Sequence, residues 1–119
     1  MANTFKIKTN DAMPTSAGSP LTLYTVPSST TTIVLGLMLC NVDTSQRLVD
    51  VHIESNTSDN ESNSNVHAIK DAPIPAGSSL QVLDGGAKIV MVSGDALKVK
   101  SDTASSADVW VSVVDAIST

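Results

Sequence analysis

Along this chain, apolar side chains recur at every second position in short runs, and no stretch keeps a helical period over three turns. Between the runs stand Ser, Thr, Asn, Gly and Pro, the residues that end strands and form turns. Val49, Val51 and Ile53 alternate with Asp50, His52 and Glu54, which reads as a strand with one face wet. Val109, Val111 and Val113 alternate with Asp108, Trp110 and Ser112 in the same way. Eight or nine such runs lie about 8–12 residues apart, the spacing of an all-β sandwich or barrel. The expected fold is a single-domain antiparallel β-sandwich, jelly-roll-like.

The individual strands follow from this pattern. Phe5 and Ile7 alternate with Lys6 and Lys8. Residues 10–20 read as a loop, and Leu21, Leu23 and Thr25 form one face of a second strand that Pro27 stops. Thr31 to Asn41 is the strongest element. Strict alternation points Ile33, Leu35, Leu37 and Leu39 one way and Val34, Gly36, Met38 and Cys40 the other. Both sets are apolar, so this strand is expected to be covered on both sides, the second side by a neighbouring subunit. Ser55 to Asn65 is almost entirely polar and is expected to be an exposed loop. Val66 to Ile69 reads as a short strand, and Pro73-Ile74-Pro75-Ala76-Gly77 as an extended turn. Asp84-Gly85-Gly86 and Ser93-Gly94-Asp95 are expected to close hairpins, with a polar turn over Ser101 to Ser106.

Charge and length narrow the function classes. The 119 residues make one domain and bury roughly two-thirds of the unfolded surface. A net charge of −5, with seven scattered basic residues, does not suit nucleic acid, whose phosphates need clustered Lys and Arg. The longest apolar run, Ile33 to Cys40, falls far short of the ~20 residues of a helical membrane span. The N-terminus, Met-Ala-Asn-Thr-Phe-Lys, shows no basic region followed by an apolar core, so synthesis in a cytoplasm is expected. One each of Phe, Tyr and Trp argues against a stacking platform for sugars or single strands.

No catalytic constellation stands out. There is no Gly-x-Ser-x-Gly elbow, and the single cysteine, Cys40, is expected to be a buried, inert thiol. His52 and His67 fall on strands that could be neighbours, with Asp59 and Glu61 close in sequence, but zinc needs three or four convergent ligands and no such site is expected. Asp59-Asn60-Glu61 could offer oxygens to calcium, though it lacks the spacing of a helix–loop–helix calcium site. No cofactor or metal is expected. Trp110 sits on the face opposite the three valines of its strand and marks a candidate contact surface. The expected interface residues are Val34 and Met38 on one strand and Trp110 and Val114 on the last.

The second half of the chain carries a resemblance. Pro73-Ile74-Pro75-Ala76-Gly77-Ser78-Ser79-Leu80 is followed by a Gly-Gly turn and by Gly94-Asp95-Ala96-Leu97-Lys98-Val99-Lys100-Ser101. Ala107-Asp108-Val109-Trp110-Val111-Ser112-Val113-Val114 closes the pattern. This series, within residues 66–117, resembles small β-sandwich virion proteins of tailed phages, marine cyanophages included. The resemblance implies a non-enzymatic structural component of the virion. A capsid decoration or cement protein is favoured, assembling as an oligomer such as a trimer on the major capsid protein. A neck or tail protein is the alternative. A carbohydrate- or receptor-binding module, with its site at the 55–65 loop and Trp110, is the competing class. No catalytic residues come with the resemblance.

Overall fold

The computed structural model describes residues 3–13, 20–55, 63–83 and 88–117. These form nine strands and no helix. They are β1 (Asn3–Asn10), β2 (Leu21–Thr25), β3 (Thr30–Asn41), β4 (Arg47–Glu54), β5 (Val66–Ile74), β6 (Ser79–Leu83), β7 (Ile89–Val92), β8 (Ala96–Ser101) and β9 (Ala107–Ile117). The expectations for most of the 55–65 loop, for Asp59-Asn60-Glu61 and for Asp84-Gly85-Gly86 fall outside the described residues.

The strands make two antiparallel sheets. One runs β1-β9-β3-β6, with β7 also on β3, and the other runs β2-β8-β4-β5. Pairing follows one rule: β1 with β9, β2 with β8, β3 with β6 and β7, β4 with β5. The chain thus doubles back as one long antiparallel ribbon. The ribbon then rolls, so that β9 also meets β3 and β8 also meets β4. That is a jelly roll with one extra short strand, β7.

The interior is filled by alternate side chains of both sheets. Leu37, Leu39, Val109, Val111 and Val113 come from one; Leu23, Val49, Val51, Leu97 and Val99 from the other. Each buried aliphatic side chain of this size contributes about 1.5–3 kcal/mol. Met13, from the loop after β1, is fully buried among them, its carbonyl accepting the Ser105 N–H at 2.9 Å.

Two readings of the sequence are corrected here. The Ser93-Gly94-Asp95 turn closes no hairpin: β7 lies in one sheet and β8 in the other, so the turn crosses between sheets. Gly94, with φ 90°, makes the corner, and its N–H bonds the Val26 carbonyl at 3.1 Å. The expected turn over Ser101–Ser106 is present and also crosses between the sheets, closed inside by a 2.8 Å bond between the two serine hydroxyls. Finally, β5 continues through Pro73 to Ile74 instead of stopping at Ile69. Proline is tolerated because β5 is an edge strand and its missing N–H breaks no ladder.

Candidate interaction surface

Parity within β3 and β9 decides which side chains leave the core. The β3–β9 register runs Val34↔Val113 and then Gly36↔Ser112, so β3 holds one extra residue, Leu35, at a bulge. Before the bulge Thr32 and Val34 face inward; after it Leu37, Leu39 and Asn41 do. Strict alternation across this strand is therefore broken. Val34, expected at an interface, is completely buried in the core opposite Val113.

The other three expected interface residues lie on the outer face. Met38 pairs with Trp110 across β3 and β9, and both are half-buried. The Trp110 indole covers Gly36, where a Cβ would stand 3.5 Å from its Cζ3. Val114 lies between Phe5 of β1 and Ile33 of β3, which leave it only 8% exposed. Cys40, expected in the core, is half-buried on this same face opposite Asp108.

Around these residues the face stays apolar. Phe5 is 73% exposed, Ile7 64% and Val90 64%, and each belongs to the outer side by its register with Val114, Ser112 and Ile33. Rows of side chains run across three or four strands: Phe5, Val114, Ile33, Val90; then Ile7, Ser112, Gly36; then Thr9, Trp110, Met38, Gln81. The one charged side chain in these strand positions is Asp108, near the end. Thr9, Asn10, Asp11, Asp108, Val109 and Trp110 line a groove beside it. Large exposed apolar side chains gathered on one sheet face make it the candidate contact surface.

The edge of the same sheet is protected. Lys6 and Lys8 lie opposite Val113 and Val111, so they share the core-facing side of edge strand β1. Inward charges on an edge strand oppose pairing with another edge. Lys6 Nζ reaches Asp115 Oδ2 at 2.7 Å, and the same carboxylate accepts from Tyr24 at 2.6 Å and Thr32 at 2.6 Å. Burial pushes the Asp115 carboxyl up, but the bonds from Lys6, Thr32 and Tyr24 outweigh it and hold it below the ordinary value. Nothing in the local sequence of β9 announces this acid, because its three donors come from three other strands.

On the far sheet, β4 and β5 bring His52 and His67 together, ring centroids 4.1 Å apart. Burial pushes the His52 imidazole below its ordinary pKa, and His67 adds to the effect. Asp50, two residues earlier on the same side, is only 4% exposed. Compared with protein-family models, curated proteins and solved structures, the chain matches none.

Proposed function

We propose that this chain is a non-enzymatic structural subunit of a tailed-phage virion that self-associates through the outer face of its β1-β9-β3 sheet. One observation carries the assembly reading: Phe5, Ile7 and Val90 stand exposed around Trp110 and Met38 on a nearly uncharged sheet face. A second copy is the favoured occupant. A face without a charge pattern sets no like charges against each other when two copies meet, so it can match itself. The protected edge of β1 favours association by face over pairing by strand. Aromatic residues and Met are enriched at such contacts.

The virion part rests on the resemblance of residues 66–117. Jelly rolls also serve lectin and cupin domains, so the fold alone does not choose among functions. Within the particle, a decoration subunit bound to the outer shell fits an acidic domain whose interior is filled with side chains. A neck or tail position is the alternative.

Light scattering at micromolar concentration should report an oligomer, a dimer where the face meets its own copy. The double variant Phe5→Ser, Ile7→Ser should fall to monomer with little change in melting temperature, since both side chains are exposed. A wild-type chain that stays monomeric at high concentration would overturn the assembly reading. Mass spectrometry of purified virions tests the location, and absence of the chain from particles would overturn that.

A further inference from the structure

The outer side of the β2-β8-β4-β5 sheet differs in kind from the apolar face. Strand β4 keeps Val49 and Val51 inward, so Asp50 and His52 point out. His67 lies directly opposite His52 on β5. One carboxylate oxygen of Asp50 and one ring nitrogen from each histidine all fall within 4.8 Å of one another. Asp50 Oδ2 is 3.8 Å from His52 Nε2, too far for a hydrogen bond. The other Asp50 oxygen is fixed by the Asp71 N–H at 2.7 Å. Asp71 has φ 52°, a backbone turn that aims its N–H at the carboxylate.

His52 Nε2 is the anomaly. It is buried and has no hydrogen-bond partner among the described residues. Buried polar atoms almost always find a partner, so one left open asks for an explanation. A cation between Nε2 and the carboxylate would supply it.

We propose that Asp50, His52 and His67 form a binding site for a divalent transition-metal ion of the zinc class. Two imidazoles and one carboxylate select such ions over calcium and magnesium, which prefer oxygen alone. Three protein ligands leave a fourth position for water or an outside donor. His67 is exposed, so that position faces solvent. The Asp71 N–H on the second oxygen is the kind of outer contact that orients a ligating carboxylate.

Little movement is needed. Ligands at about 2.0–2.2 Å from zinc stand roughly 3.3–3.6 Å apart in a tetrahedron, so the 3.8 Å pair closes slightly. Two imidazoles on one ion diverge to ring centroids about 5 Å apart, which turns His67 outward from its present 4.1 Å. An exposed side chain makes that turn freely. Lys100 Nζ, 3.6 Å from Asp50 Oδ2, is the resident competitor that an ion must displace. The neighbouring Lys98 is engaged with Glu54 at 3.2 Å.

The test uses untagged protein stripped with chelator and titrated with zinc chloride. Calorimetry and melting should show one ion bound per chain and a raised melting temperature. His67→Asn, at an exposed position, should keep the fold and weaken zinc binding by about tenfold or more. Lys100→Gln should tighten it by removing the competitor. Cobalt substitution should give the visible absorption of a low-coordinate site with nitrogen and oxygen ligands. No heat or stabilisation at millimolar zinc would overturn the proposal. So would undiminished, wild-type affinity in both His67→Asn and Asp50→Asn, since the ion would then sit elsewhere.

Discussion

The indole of Trp110 occupies the space above Gly36 that a side chain there would claim, with Cζ3 3.5 Å from the position of a Cβ. That distance is ordinary van der Waals contact, so one methyl fits and a larger group does not. Gly36→Ala should therefore be tolerated and raise stability by up to about 1 kcal/mol, because glycine weakens a strand interior. Gly36→Leu should push the indole off the sheet. Tryptophan fluorescence would report the difference as a red shift in the leucine variant only.

Core identity along β3 follows the bulge. Leu37→Ala should cost about 2–5 kcal/mol in a denaturant titration, as a fully buried large-to-small change. Leu35→Ala, at the half-buried bulged residue, should cost less, under roughly 1.5 kcal/mol. Equal losses at the two positions would mean that the parity of the strand does not switch between Val34 and Gly36.

Asp115 and Tyr24 give stability an acid limb and an alkaline limb. The Asp115 carboxyl is held below its ordinary value, so its contribution is complete above the unfolded pKa of about 3.9 and is lost as pH falls through the lower folded value. Tyr24 runs the other way. Burial and the Asp115 bond raise its phenol above about 10, so its contribution holds below that pH and is lost as pH rises through the folded value. Asp115→Asn should flatten the acid limb of melting temperature against pH. It should also cost about 1–3 kcal/mol at neutral pH, from weakened charge-assisted bonds.

The sequence exposed the strands more clearly than their partners. Period-two alternation located β4, β8 and β9, because each has one wet and one dry face. The same rule failed in β3, where both faces are apolar and hydrophobicity cannot reveal that Leu35 is an extra residue. Glycine turns marked chain reversals but not whether the next strand stays in its sheet. Gly94 makes a turn that a hairpin could use, yet β7 and β8 part to different sheets. The His52–His67 neighbourhood was legible from the order of the runs, since His52 stands on the polar face of one strand and His67 at the start of the next. Asp50 was not, for a carboxylate on a wet strand face gives no sign that a lysine and a backbone turn will bury it. Trp110 and Met38 could be assigned to the outer face; Val34 could not, because its burial depends on the bulge one residue later.

Strand β9 is hydrogen-bonded on both sides, to β1 and to β3, so two strands from the first third of the chain have no common partner until residues near 110 exist. On a ribosome, the exposed β1 and the apolar flank of β3 must wait, unpaired, for most of the chain to be made. Closure then depends on contacts between distant parts of the sequence, the kind that makes folding slow. The inward lysines of β1 gain a second meaning in that interval: they keep a waiting strand soluble before its partner arrives.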